Sequence, residues 1–201
     1  SATNAEKTLI PYLKSRGVSH LDVLVLTHTD TDHMGDMLEV AKHFSIKEIY
    51  VSKGSLTQSD FVEKLERMQT RVHAVEVGDS LPIFDGSLQV LYPEDTGDGS
   101  NDDSVVLYGK FFGTSFLFTG DLEENGEATL MRRFPQLKVD VLKAGHHGSK
   151  GSSSPEFLHQ LQPKIALISA GRNNRYKHPH QETLDRFKNI QTQIFRTDEQ
   201  G

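Results

Sequence analysis

Leu24-Val25-Leu26-Thr27-His28-Thr29-Asp30-Thr31-Asp32-His33 is the stretch that decides how this chain is read. Its first part is a short, bounded apolar run with β-branched character, which predicts a strand of a sheet covered on both faces. Its second part carries His28, Asp30, Asp32 and His33 on what must be a tight turn, and Met34-Gly35-Asp36 leads on into a helical pattern. Open α/β sheets place their ligands just past the carboxyl ends of their strands. Imidazole and carboxylate are the usual donors to hydrolytic divalent metals. Such a turn can divide its four groups between two ions about 3.5–4 Å apart.

The rest of the chain must supply the sheet and the remaining ligands. With 201 residues it is long enough for a single domain, residues 1–201, with a real core. The formal net charge of −6 argues against a broad basic face for nucleic acid. Bound divalent cations would offset this by making the site itself positive. The absence of cysteine excludes thiolate metal sites and disulfides and leaves the redox compartment open. No apolar run approaches the roughly 18 residues of a membrane span, and no signal-peptide pattern opens the chain. Its start close to a helical pattern and its end on a strand predict a piece of something longer.

The order of elements predicts an α/β protein. A first helix is expected from Asn4 to about Ser15, then a strand Leu21 to Leu26, a helix from about His33 to His43 and a strand Glu48 to Val51. A helix Ser59 to Met68 with Phe61, Val62, Leu65 and Met68 on one face, then a strand Val72 to Val77, complete an alternation typical of parallel sheets. Strand-like runs at Ser80 to Phe84, Ser87 to Tyr92, Ser104 to Phe112 and Ser115 to Thr119, separated by turn residues, predict an antiparallel meander. Helices follow at Glu123 to Arg133, Pro155 to Leu161 and Gln181 to Lys188. They alternate with strands at Val139 to Lys143, Lys164 to Ser169 and from Gln193 to Phe195. Two β-containing halves with helices outside predict a four-layer α/β/β/α sandwich.

Further candidate site residues lie at the ends of these strands. Phe116-Leu117-Phe118-Thr119-Gly120-Asp121 ends an apolar strand in an aspartate that could bridge two metals, although such aspartates also form turns. Val141-Leu142-Lys143-Ala144-Gly145-His146-His147-Gly148-Ser149 delivers a lysine and two histidines into a glycine-flanked loop. Lysine and histidine there could contact a phosphate or pass a proton, and glycine lets the backbone approach an anion closely. Tyr176-Lys177-His178-Pro179-His180 follows another strand; His178 is the preferred ligand and His180 the alternate. Asn101-Asp102-Asp103-Ser104 opens a strand, and taken alone its Asp or Asn reads first as the cap of a turn. His20, His43, His73 and His159 lie within or beside ordinary elements and read as surface or packing residues.

Together these segments resemble the metallo-β-lactamase fold family. That family's His-x-His-x-Asp-His motif stands here as His28-Thr29-Asp30-Thr31-Asp32-His33, with aspartate in place of the second histidine. Its bridging aspartate matches Asp121 and its last histidine matches His178. The histidine expected between them is absent, and Asn101 is the nearest candidate by order. The narrower pattern adds Asn101-x-x-Ser104, Lys143-x-x-His146-His147-Gly148-Ser149 and His178-Pro179 in that order. It resembles the C-terminal domain of the ComEC family of DNA-internalisation competence proteins from about Ile10 to Gly201. The opening strands usual in that family are absent and the last strand is cut short, so an incomplete domain is expected.

The resemblance implies a soluble domain of a multi-pass membrane channel. It would stand on the extracytoplasmic face of the cell membrane and degrade the DNA strand that is not imported. Its partners would be DNA, single-stranded by expectation, and the rest of the uptake machinery. The implied metal ligands are His28, Asp30, Asp32, His33, Asn101, Asp121 and His178. His28, Asp30 and Asn101 serve one ion, Asp32, His33 and His178 the other, and Asp121 both. Asp32 alternatively orients the attacking hydroxide. Lys143, His146 and His147 would bind phosphate or protonate the leaving oxygen. Exchanging imidazole for oxygen donors favours manganese or magnesium over zinc, so two divalent ions, manganese preferred, are expected. Two other functions fit the same residues: hydrolysis of another ester or a lactone, and metal-independent DNA binding without catalysis.

Overall fold

The computed structural model describes residues 14–17, 19–26, 38–83, 86–94, 97, 103–145, 151–168 and 179–196. Among these residues ten strands form two sheets. The smaller is parallel, in the order β1 (His20–Leu26), β2 (Ser45–Ser52), β3 (Arg71–Val75). The larger holds β4 (Ser80–Ile83), β5 (Gly86–Tyr92), β6 (Val106–Phe111), β7 (Thr114–Phe118), β8 (Val141–Lys143), β9 (Ile165–Ile168) and β10 (Gln193–Arg196). Their order is β10-β9-β8-β7-β6-β5-β4. The meander expected from the turn signals is present as antiparallel β4, β5, β6 and β7. Beyond it β7, β8, β9 and β10 all run parallel.

Four helices carry full boundaries: α1 (Ser59–Met68), α2 (Glu124–Arg133), α3 (Pro155–Leu161) and α4 (Gln181–Asn189). Residues 38–43 are also helical. The expected first helix and the start of the second lie largely outside the described residues. A 3-10 turn at Gly54–Thr57 was not expected; its buried Ser55 Oγ lies 2.7 Å from Ser52 Oγ, a local hydroxyl pair that no periodicity announces.

Three apolar clusters establish the layers. Val40, Phe44, Phe61 and Leu65 pack on Leu26, Ile46, Ile49 and Val51, so helices cover one face of the small sheet. Tyr50 and Val75, joined by partly buried Val25, face Leu81, Val90 and Leu107 of the large sheet. The far face of the large sheet, including Val106, Leu117, Leu142 and Ala166, packs on Leu130, Phe157, Leu161 and Phe187 of α2, α3 and α4. The period-2 alternation of strands does this directly: Leu117 faces the helices while Phe118 faces the other sheet. The result is the α/β/β/α sandwich.

Strand ends differ from expectation where local chemistry intervenes. β3 stops at Val75 because Glu76 to Asp79 closes a turn, with the Glu76 N–H donating to Asp79 Oδ2 at 2.9 Å and Gly78 at φ +95°. β6 stops at Phe111 because Phe112 and Gly113 are both left-handed, at φ +52° and +79°. That pair forms the two-residue hairpin that a right-twisted strand pair prefers. β8 starts at Val141 because the preceding residue is engaged sideways: the Asp140 N–H donates to Ser115 Oγ and to Ser115 O.

Leu117 is fully buried on β7 in the middle of the large sheet. Leu117→Ala should lower the unfolding free energy by about 2–5 kcal/mol, lost transfer energy plus the cavity. Urea unfolding of both proteins measures this; a loss below about 1 kcal/mol would contradict the packing described.

Candidate functional site

The parallel run from β7 to β10 sets the geometry. Phe116, Leu117 and Phe118 pair with Val141, Leu142 and Lys143, and Lys143 pairs with Leu167. Consecutive parallel strands discharge their following loops at one edge of the sheet. Asp121 follows β7 there and Lys143 closes β8; in the sequence His146 and His147 come after β8 and His178 after β9. In the small sheet β1 runs directly into the stretch that contains His28 to His33.

Asp121 is buried, at 5% exposure. Its approach requires Gly120, whose φ of +57° is a conformation that glycine adopts without penalty. Its own N–H donates to Ser104 Oγ at 3.1 Å, so the start of β6 holds the exit of β7. Thr119 Oγ1 donates to Lys143 O at 3.2 Å and ties the exits of β7 and β8 together. Lys143 is half-buried at the last position of β8. Burial drives its ammonium below the ordinary lysine range, and the nearby Asp121 carboxylate opposes that shift. A partly desolvated cation thus stands beside a buried carboxylate at this edge of the sheet.

Of the expected site residues, Asp121 and Lys143 fall within the described residues. His28, Asp30, Asp32, His33, Asn101, His146, His147 and His178 lie outside them. The alternate ligand His180 is at the N-cap of α4, where its carbonyl accepts from the Leu184 N–H at 3.1 Å. Among the described residues, no group of three or more histidine or acidic side chains is assembled for a metal. Of the donor types expected, Asp121 is the carboxylate described, and an oxygen donor of this kind is of the chemistry that divalent ions take.

The structure adds two residues that sequence reasoning did not single out for a role. Ser104 stood in the Asn101-x-x-Ser104 pattern, but only the fold shows that its hydroxyl serves Asp121. Glu127 reads from sequence as an ordinary acid on a charged helix. It is in fact 1% exposed, and accepts from the Ser153 N–H at 2.6 Å and the Ser154 N–H at 2.9 Å. Burial outweighs those amides and pushes its carboxyl up to about 7.

The chain matches the metallo-beta-lactamase superfamily over residues 1–172 and belongs to it. Members of that superfamily are mostly metal-dependent hydrolases, and the fold generally binds two divalent metals. Among curated proteins it is 44% identical to ComE operon protein 3 of Bacillus subtilis over 98% of this chain and 26% of that protein. It is 33% identical to competence protein ComA of Neisseria gonorrhoeae (98% of this chain, 27% of that one). It is 30% identical to recombination protein 2 of Haemophilus influenzae (96% and 23%). The expected resemblance to competence proteins is borne out, and the chain spans about a quarter of the length of these relatives. Two solved structures share the fold, each with a TM-score of 0.61. YhfI of Bacillus subtilis, a metallo-beta-lactamase fold protein, is 11% identical over 98% of this chain and 82% of its own. CmlA of Streptomyces venezuelae, a diiron beta-hydroxylase, is 14% identical over 89% and 44%. No helix among the described residues is long and apolar enough to cross a membrane.

Ser104→Ala should cost about 1–3 kcal/mol in urea unfolding, because the Asp121 N–H is left buried without that acceptor. An unchanged midpoint would mean that this bond carries nothing. The raised carboxyl of Glu127 has its own pH signature. An acid whose folded pKa is raised stabilises fully below its unfolded value, here 4.5, and loses that contribution as pH rises through about 7. The stability advantage of the wild type over Glu127→Gln should therefore shrink between pH 4.5 and 8, by about 3 kcal/mol at most. Paired urea titrations across that range test it; a constant difference would refute the raised value.

Proposed function

We propose that this chain is a metal-dependent phosphodiesterase that hydrolyses DNA, degrading the strand that is not imported during DNA uptake. The observation that carries the reading is Lys143 set beside buried Asp121 where β7 and β8 end, in a chain whose β1 runs into His28-x-Asp30-x-Asp32-His33. Similarity to a ComE operon protein and to a competence protein along nearly the whole chain supports the biological setting. The domain would work on the extracytoplasmic face of the cell membrane, joined to the rest of the uptake channel.

His28, Asp30 and Asn101 would hold one divalent ion, and Asp32, His33 and His178 the other, with Asp121 shared. When bound, such ions make water a nucleophile near neutral pH and neutralise phosphate charge. The protein's own residues do the rest. Ser104 and Gly120 hold the Asp121 backbone so that its carboxylate needs no reorganisation when substrate arrives. Lys143 supplies a fixed positive charge for a phosphate oxygen. His146 and His147 would orient the phosphate or protonate the departing oxygen. Asp32 ligates or aims the attacking oxygen. Oxygen-rich donors favour manganese, with magnesium or zinc as alternatives.

The deciding assay is cleavage of end-labelled single-stranded DNA with manganese, magnesium, zinc or chelator. Manganese-supported cleavage should fall at least about 100-fold in Asp32→Ala and Asp121→Asn, as expected when a group acting on the transition state is lost. Cleavage that survives chelator or either substitution would overturn the assignment. Full activity with zinc and none with manganese would overturn the metal preference alone. Hydrolysis of a lactone or carboxylic ester with no action on DNA would retain the site and replace the substrate.

A further inference from the structure

The turn that carries Asp121 closes on itself, since the Leu122 N–H donates to Thr119 O at 3.1 Å. It is then held from three sides. Ser104 Oγ takes the Asp121 N–H on the first. Gly145, just past β8, closes the second: a Cβ added there would lie 3.1 Å from Leu122 O and 3.2 Å from Thr119 Oγ1. Only a residue without a side chain comes so close to that backbone. On the third side Ser152 Oγ donates to Leu122 O at 2.7 Å. The carbonyl next after Asp121 is thus anchored by a fully buried hydroxyl from 30 residues further along the chain.

Ser152 sits on a stem, ahead of α3, that is itself held on both faces of its peptides. From α4, Arg186 Nη1 donates to Ser152 O at 3.2 Å and to Ser153 O at 3.3 Å. From α2, the Glu124 N–H donates to Gly151 O at 3.1 Å, and the two carboxylate oxygens of Glu127 each take one amide of Ser153 and Ser154. Ser153 is left-handed, at φ +58°, a conformation that a non-glycine residue keeps only where its surroundings demand it. A buried carboxylate and a left-handed serine are each unfavourable alone. Capping α3 does not require them, since the Ser154 hydroxyl already accepts from the Phe157 N–H at 3.2 Å. What they secure is the place of the Ser152 hydroxyl against the turn of Asp121.

We propose that Ser152 is a positioning residue: its hydroxyl clamps the Leu122 carbonyl and thereby fixes the turn that aims Asp121 from the end of β7. Only a donor can anchor a carbonyl, so an alanine of nearly the same shape cannot replace this serine. Without the hydroxyl, Leu122 O loses that anchor and the turn can shift about its remaining hold at Ser104. The metal arm of the test rests on the reading of Asp121 as a shared metal ligand; the exchange arm does not.

The test compares wild type, Ser152→Ala, Ser152→Cys and Leu158→Ala. Leu158 is buried on α3, and its loss lowers overall stability without removing a donor from Leu122 O. The first readout is amide hydrogen exchange on the metal-free chain, which separates local from global opening. Ser152→Ala should speed exchange at the Asp121 and Leu122 amides by about 10-fold relative to those of Leu117 and Leu142 in the sheet, the order that loss of one hydrogen bond allows. Leu158→Ala should not single out those two amides. The second readout is manganese affinity, by competition with a fluorescent chelator at a temperature where every variant is folded. The dissociation constant should rise about 10- to 100-fold in Ser152→Ala, the range for loss of a group that orients a metal ligand. It should stay within about twofold of wild type in Leu158→Ala, and Ser152→Cys, with its weak donor, should fall between. Unchanged relative exchange at Asp121 and Leu122 in folded Ser152→Ala would overturn the proposal, as would manganese affinity that is unchanged there or equally weakened in Leu158→Ala. Should Ser152→Ala not fold, Arg186→Met withdraws the guanidinium from the Ser152 carbonyl, and the same two readouts decide. Wild type that binds no manganese while the exchange pattern appears as expected would sink the metal-site reading and leave the clamp on the Asp121 turn standing.

Discussion

A carboxylate buried at the end of an apolar strand is the constraint on which this structure depends. Removing Asp121 from water is costly unless opposite charge and hydrogen bonds replace the lost hydration. β8 brings the Lys143 ammonium within electrostatic reach of the carboxylate, while Ser104, just ahead of β6, accepts from the Asp121 backbone N–H and fixes the chain that carries it. These partners are distant in sequence, and the parallel pairing of β7 with β8 and the antiparallel pairing of β6 with β7 are what bring them together. The sheet order is thus inseparable from the chemistry at its edge.

Much of the scaffold was legible in the sequence because it follows local periodicity. α1 and α3 begin and end where the sequence put them, at Ser59 to Met68 and Pro155 to Leu161. The parallel parts followed from the alternation of helix and strand patterns, and the antiparallel meander from turn residues between consecutive strand-like runs. The discrepancies are places where a side chain or a left-handed residue overrides periodicity. Phe112 has a strand-forming side chain, yet it sits in the hairpin turn, 95% exposed, because closing β6 onto β7 in two residues demands positive φ. Ser104 has a strand-like sequence context, but its hydroxyl serves the exit of β7.

The site was legible in a different sense. Ligand-type residues at strand ends can be recognised one by one, since the chemistry is written in residue type and spacing. What spacing does not contain is support. Glu127 lies among Glu123, Glu124 and Arg132 on a helix that reads as solvated, and its burial is settled by a stem 26 residues further along the chain. Such long-range pairing has no local signature, because nothing in the helix itself distinguishes an acid that points at water from one that meets two backbone amides.

The same distinction explains how one fold serves unrelated chemistry. CmlA shares this fold and is a β-hydroxylase, so the layers themselves select no substrate. Selection must come from what stands around the strand exits. Among the described residues that surrounding holds Lys143, at the end of the strand next to the one from which buried Asp121 emerges. A lysine driven below its usual range by burial keeps its charge best when an anion is near. Asp121 supplies part of that charge in the resting protein. Under the proposed function, cations held by Asp121 would withdraw it, and a phosphate oxygen arriving at the same edge would restore it. Lys143 would then reward binding of a phosphodiester more than binding of a neutral ester, which has no full negative charge to offer until its transition state.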